Sequence, residues 1–327
     1  MRGVYTSLLA VALACATAVG RARAQQPLAV GVRADNDAFN FWLPPYARPD
    51  EEYTSGVRAW VTYAGSAWWD QWMRKGIQSC ASGADRCSTR AYSFGQDIYT
   101  GVLAPGDTSL APGTRPNAGW LYVQESSRVG SVDRLDETSI TLGVTGPPAL
   151  GGPAQRAFHS LDAAFNRPIY WATELPFEPG IVLAYDHTQR ILAMGGADSF
   201  GGDVEPHAGA SLGNILTEAR AGVRLRGGFR VKHPWLATEE PAKPEVSLVA
   251  DATVHGIVRN EFLAGTMFRP SQHVQERPFV AEYSAGITLR WKRLTLTYSA
   301  DHSESEYVTR SSGHTWSRIG AEWRIAR

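Results

Sequence analysis

The sequence predicts an all-β chain: a twelve-stranded antiparallel transmembrane β-barrel with a short helix in an extracellular loop. Three observations predict it. Segments in which apolar and polar residues alternate recur along the chain; they number twelve, an even count, and each has roughly the length a tilted membrane strand needs. Tryptophan (11) and tyrosine (12) are abundant while charged residues make up only 20 % of the chain, a balance that suits aromatic girdles at two membrane interfaces. Beyond the N-terminus no segment approaches ~18 consecutive apolar residues, so no membrane-spanning helix is predicted. The same aromatic excess suits a secreted β-sandwich, and that alternative stays open.

The first residues read as a secretory signal. Arg2 supplies the positive start, Leu8 to Val19 is an apolar run of twelve residues, and Ala22-Arg23-Ala24 fits the small-x-small cleavage pattern. The expected division is a signal peptide at 1–24 and a barrel at 25–327. A lipidated Cys15 is the alternative, but Ala12-Leu13-Ala14 suits it poorly. The 32 basic and 32 acidic residues balance, so no basic excess points to nucleic acid. Beyond the signal, Cys80 and Cys87 bracket a polar loop, and in an exported chain a disulfide closing it is expected, worth roughly 2–3 kcal/mol.

The strands follow in order. LAVGVRADN at 28–36 is the first and YTSGVRAWVTYAG at 53–65 the second. RAYSFGQDI (90–98), AGWLYVQES (118–126) and DETSITLGVTG (136–146) are the next three. The remaining seven are expected at 174–189, 204–212, 216–226, 245–258, 278–291, 293–303 and 313–325. The segment 204–212, VEPHAGASL, reads as a poor barrel strand. Lys292-Arg293 is short enough for a hairpin turn. With a periplasmic N-terminus, links 37–52, 99–117, 147–173 and 259–277, and short ones at 213–215 and 292–293, are assigned outside. Links 66–89, 127–135, 190–203, 227–244 and 304–312 are assigned to the periplasm, where 66–89 and 227–244 are longer than such turns usually are. The stretch 153–165 predicts a helix, with Pro153 in its first turn and Pro168 beyond its end. Gln155 and His159, four apart, share one of its faces; Phe158, Leu161 and Phe165 share another. A closed barrel has no edge that demands a partner, so a monomer is expected.

This topology gathers three sets of polar residues at one rim. Asn36 and Asp37 follow the first strand, Tyr53 and Thr54 open the second, and Gln155 and His159 sit in the loop after the fifth. Asn and Asp also serve ordinary turns, yet a carboxylate can hold a hard cation and an amide can donate to an oxyanion. His159 is the candidate base, since a neutral imidazole can take a proton from water. Arg115, entering the fourth strand, is expected near lipid headgroups, as a phosphate contact or a snorkelling side chain. No P-loop or H-E-x-x-H motif is present.

These pieces resemble the outer-membrane lipid A 3′-O-deacylases. The resemblance is carried by DNDAF at 35–39, EYTSG at 52–56, FGQDIYTG at 94–101, RPNAGWLY at 115–122, ITLGVTGP at 140–147 and the Gln155-x-x-x-His159 pair, all in the same order. It implies a twelve-stranded barrel in the outer membrane with a calcium-dependent esterase site near the outer leaflet, removing an ester-linked acyloxyacyl chain from lipid A in lipopolysaccharide. By it, His159 activates water, Asp37 helps to hold calcium, Asn36 and the cation stabilise the oxyanion, and Thr54 and Gln155 line the site. Three departures stand out. No Glu follows His159 before 174, leaving Asp162 and the later Glu178 as candidates for the second calcium ligand. Asn117 replaces an aromatic residue, and the last aromatic, Trp323, precedes a terminal Arg327. Two rivals remain: a barrel of the same family without catalysis, and a secreted β-sandwich binding module.

Overall fold

The computed structural model describes residues 27–44, 51–70, 78–79, 87–106, 109–160, 170–195, 199–231, 235, 241 and 243–325. Twelve long strands form the wall: β1 (Pro27–Asn36), β2 (Glu52–Ala64), β3 (Cys87–Thr100), β4 (Ala118–Gly130), β5 (Arg134–Thr145) and β6 (Pro179–Gln189), then β7 (Phe200–Gly213), β8 (Leu216–Phe229), β9 (Glu245–Asn260), β10 (Phe279–Trp291), β11 (Leu294–Ser303) and β12 (His314–Arg324). Each pairs antiparallel with its neighbours in sequence. β1 closes the ring on β12, from Ala29↔Arg324 to Asn36↔Ser317. All twelve expected strands are present, so the sandwich alternative is set aside. Among the described residues, the links carry the short helices α1 (Gly151–His159) and α2 (Glu261–Ala264). No helix among the described residues is long and apolar enough to cross a membrane.

Alternation along each strand decides what faces lipid. In β1, Val30 and Val32 are exposed while Ala29 and Asp35 are buried. The same exposed stripe continues through Val57, Phe94, Val123, Leu142, Leu183, Leu248 and Ile287. The barrel interior is instead charged, with Arg226 on Asp203, Arg220 on Asp186 and Arg318 on Asp301. Apolar outside and polar inside is the pattern of a membrane barrel. The segment 204–212 obeys it: Asp203, Glu205 and Ser211 are buried, while Leu212 on the opposite face is exposed. Pro206, which has no N–H to donate, falls where the β6 ladder has ended at Thr188↔His207 and the Leu192–Met194 ladder begins at Leu192↔Val204. The strand looked poor because its outward residues are small, not because they are polar.

Two link assignments are corrected. Lys292-Arg293 joins β10 to β11 at the rim opposite the helices, with Lys292 at φ 50°. Residues 304–312 join β11 to β12 at the helix-bearing rim, where Tyr307 and Arg310 bond Glu52 at the start of β2. Strand parity dictates both positions: links after odd-numbered strands share a rim. The long link 66–89 does not simply hang below the barrel. Trp69 donates to Thr138 and Ser127 donates to Asp70, so its first residues lie against β4 and β5. Cys87 is buried and disulfide-bonded; its expected partner, Cys80, lies outside the described residues.

Candidate functional site

At the helix-bearing rim the wall has an inner and an outer face, and the candidate residues divide between them. On the inner face Trp120, Tyr122, Leu175, Ile215 and Phe262 form an apolar cluster with Tyr99 packed on it. Tyr99 and Phe262 stack with ring centroids 4.2 Å apart. Neighbours of these residues along each strand therefore point outward. Gln96, Ile98 and Thr100 of β3, Gly119 of β4 and Asn36 of β1 all belong to that outward set.

Outward residues of a membrane strand are normally exposed to lipid. Here Asn36, Ile98 and Thr100 are buried, because two loop segments fold back over the wall. One is the turn after β1. Asn36 caps it, accepting from Ala38 N at 2.7 Å, and Asp37 follows in a single 3-10 turn that runs to Phe39. Asn40 then bonds β12 through Thr315 O (2.8 Å) and Ser317 Oγ (2.8 Å). Tyr298 of β11 donates to Phe39 O, so the turn lies on the outside of β11 and β12.

The other segment carries α1. Gly146, at φ 74°, turns the chain out of β5; a Cβ there would lie 2.5 Å from the Phe177 nitrogen, so only glycine fits. The Gln96 amide nitrogen donates to Ala149 O at 2.5 Å. A Cβ on Gly119 would stand 3.1 Å from Gly151 Cα, which measures how closely the helix start approaches β4. The buried residues of α1 are Gly151, Gly152, Gln155 and His159, one face at i, i+4 spacing, turned to the wall. Phe158 meets Phe39 edge-on at 6.5 Å, joining helix and turn. The remainder of the predicted helix, with Leu161 and Phe165, lies outside the described residues.

A β-bulge completes the floor. Tyr53 pairs with Tyr99 and Ser55 with Ile98, which leaves Thr54 as the extra residue between them. Tyr53 turns inward, donating to Asp35 at 2.9 Å, and Thr54 meets Thr100 of the outward set, Oγ1 to Oγ1, at 2.5 Å. Asn36, Asp37, Thr54, Gln155 and His159 are thus all buried between the outer face of the wall and the segments that cover it, at 2–7 % exposure.

Two expected residues are not part of this set. Arg115 is fully buried on the inner side, paired with Glu52 (3.2 Å) and Glu306 (2.9 Å) and lying over Tyr99, rather than at the headgroup level expected for it. Two carboxylates and an aromatic face drew it inward. Glu178 accepts from Asn214 (2.9 Å), Met267 N (2.7 Å) and Phe268 N (3.2 Å), so both its oxygens staple loops to one another and it is not a second ligand beside Asp37. Asp162 lies outside the described residues. Two residues gain roles. Asn117 accepts from Gly101 N at 2.9 Å and donates to Tyr170 O, tying the link that follows α1 to the start of β4. Trp171 donates its indole N–H to Gln155 Oε1 at 2.6 Å. A tryptophan in a loop gave no signal for this; the two glycines that admit its ring were the only hint.

The family model for the outer membrane protein LpxR matches residues 5–325. The chain belongs to the LpxR family. Its localisation follows: an LpxR-family barrel is an outer-membrane protein. Among solved structures it is similar to LpxR from Salmonella typhimurium, with 16 % identity and a TM-score of 0.71 over 91 % of this chain and 100 % of that one. At that identity the likeness shows the shared fold. The β domain of the Bordetella autotransporter BrkA matches at 8 % identity and a TM-score of 0.47, over 91 % of this chain and 99 % of that one, too distant to carry an argument. No curated protein sequence matches the chain. The resemblance read from the motif series is therefore shown at the level of family and fold.

Proposed function

We propose that this LpxR-family barrel is an esterase that removes an ester-linked acyl or acyloxyacyl chain from lipid A at the outer leaflet. One observation carries the reading: the buried Gln155–His159 face of α1 covers the lipid-facing side of the wall at β3 and β4, and Phe158 joins the helix to the turn that carries Asn36 and Asp37. A site on that side meets a membrane lipid directly, whereas a site in the lumen would require the lipid to leave the bilayer.

The chemistry follows from the residue types. His159 takes a proton from a water molecule as its oxygen attacks the ester carbonyl. Negative charge then builds on the carbonyl oxygen, and the amide groups of Asn36 and Gln155 are the neutral donors at hand. Collapse breaks the bond to the sugar oxygen, which takes the proton from His159, releasing a free sugar hydroxyl and a fatty acid that then loses its proton to water. Thr54, held by Thr100, fixes the floor.

Calcium is part of the proposal. A carboxylate with a hydroxyl oxygen, and no cysteine or second histidine among the described residues of the cleft, is a hard-oxygen donor set that suits calcium better than zinc. Asp37 would hold the ion, with Asp162 the candidate second carboxylate; when bound, it would supply positive charge to the developing oxyanion. Among the described residues no group of three or more His, Cys, Asp or Glu could hold a metal. The expected ligation by protein groups is therefore sparse and rests mainly on Asp37. Chelation with EGTA should stop deacylation and calcium should restore it. The same assay on Asp37→Asn should show lower activity and a higher calcium requirement; calcium-independent turnover by the native protein would remove the ion from the reading.

The experiment that tests the function is mass spectrometry of lipid A from cells expressing the native barrel or His159→Ala. Loss of one hydroxyacyl or acyloxyacyl unit with the native protein alone is the expected result. Unchanged lipid A from a correctly inserted native barrel would favour a non-catalytic member of the family.

A further inference from the structure

We infer that Trp171 is a positioning residue: its indole N–H sets which end of the Gln155 amide faces the cleft. The inference rests on the esterase reading for its catalytic consequence, but its structural half stands alone.

The indole nitrogen is a donor only, so its partner must be an acceptor. It lies 2.6 Å from Gln155 Oε1. Turning the amide over would set an NH2 against an N–H, two donors face to face, so hydrogen-bond chemistry itself fixes an orientation that is otherwise ambiguous in an amide. With the oxygen held by Trp171, the Gln155 nitrogen points away from the indole, on the buried face of α1 that also carries His159. In that orientation Gln155 serves the cleft as a hydrogen-bond donor, the polarity an oxyanion needs. Turned over, it would present an oxygen and repel that charge.

The packing around Trp171 is built for this. A Cβ on Gly151 would lie 2.5 Å from the indole Cη2, and one on Gly152 would lie 3.0 Å from its Cγ. The ring therefore lies flat on the first turn of α1, where two successive glycines leave room. Asn117 anchors the preceding residue by donating to Tyr170 O, and Leu175 N donates to Asn117 O at 2.8 Å. The indole is thus fixed from its own side as well as from the helix.

The test uses the whole barrel, with Trp171→Phe as the main variant because it keeps a ring over Gly151 and Gly152 and removes only the donor. The structural half is read by NMR of the indole N–H in detergent micelles, the signal being assigned by its loss in Trp171→Phe. Replacing Gln155 by Leu should shift that signal and speed its hydrogen exchange; no response would overturn the inference. The catalytic half is read by kinetics on lipid A. Trp171→Phe should lower kcat about tenfold with KM unchanged, less than the ~100-fold expected for loss of a whole oxyanion donor. In a Gln155→Ala background the same change should have no further effect on kcat. An equal loss in both backgrounds would mean that Trp171 only packs the helix, and would overturn the positioning role. A native barrel inactive on lipid A, with the NMR coupling intact, would defeat the esterase reading while the orientation of Gln155 stood.

Discussion

On the inner side of the helix-bearing rim, Arg115 sits between Glu52 and Glu306, and Arg310 bridges Glu51 and Glu52. On the outer side of the same wall, Asn36 accepts from a backbone N–H, Thr54 meets Thr100, and Gln155 accepts from an indole. Both regions bury polar groups, but by opposite means. Inside, charge is cancelled by opposite charge, an arrangement costly to disturb because each ion depends on its neighbour. Outside, these bonds join neutral groups that can change partners, and Asp37 is the buried carboxylate among them. A lock belongs to the first kind of burial and a reaction site to the second.

The largest effect that separates the two regions should come from His159→Ala. Loss of a general base typically costs 10²–10⁴-fold, and deacylation should fall by about that factor. The barrel should still insert and migrate as a heat-modifiable species, because His159 belongs to a loop helix and not to the wall. A misfolded His159→Ala barrel would show that the cleft is structural after all.

Arg115→Ala should behave in the opposite way. It leaves the half-buried Glu306 without its cation and the buried Glu52 with Arg310 alone, and breaking such a network costs up to about 3–5 kcal/mol. Urea unfolding in lipid vesicles measures this directly. Because Glu52 immediately precedes Tyr53 and the Thr54 bulge, some loss of activity should accompany the loss of stability. Activity lost at unchanged stability would place Arg115 in the reaction.

The division between the two faces also explains how much was legible in the sequence. The twelve strands were, because a wall facing lipid on one side and charge on the other must alternate, and alternation survives in single-letter form. The rim was legible too, since parity places residues 36–37, 54 and 155–159 together. The face was not. Strict alternation back from Gly56 would turn Thr54 inward, and only the bulge between Tyr53 and Ser55 returns it to the outer side. Arg115 read as a headgroup ligand because its partner Glu306 lies 191 residues further along the chain. Glu178 read as a calcium ligand because a carboxylate in sequence does not reveal that backbone N–H groups already occupy it.

Inside the rim one carboxylate should report on pH. Glu261 is fully buried on α2, and Thr145 donates to its Oε1 at 2.9 Å. Burial, with the negative charge of Glu178 nearby, pushes its pKa up from 4.5 to about 7. The folded protein therefore holds this proton more tightly than the unfolded chain does. Its stabilising contribution is complete below about pH 4.5 and is lost as pH rises through about 7, a change of at most ~3 kcal/mol. Glu261→Gln, which cannot ionise, should flatten that part of the stability-against-pH curve and leave the native protein's stability at low pH nearly unchanged. An identical slope in both proteins would mean that the pH dependence arises elsewhere.

The smallest expected effect on stability tests the outer face alone. Gly119 stands where α1 touches β4, with the position of a Cβ 3.1 Å from both Ala149 Cβ and Gly151. Gly119→Ala asks these neighbours to give by a few tenths of an ångström, and Gly119→Val asks for more. Neither change touches the inner ion pairs, so unfolding in urea should shift by less than about 1 kcal/mol for alanine. Activity should respond more strongly, since displacing a reacting group by about 1 Å can cost ~10²-fold. The expected order is therefore native, then alanine, then valine in deacylation rate, against nearly constant stability. If rate and stability instead fell together, the helix would be part of the barrel's structural frame, and the contrast between an inner lock and an outer site would fail at the point where the two faces share a strand.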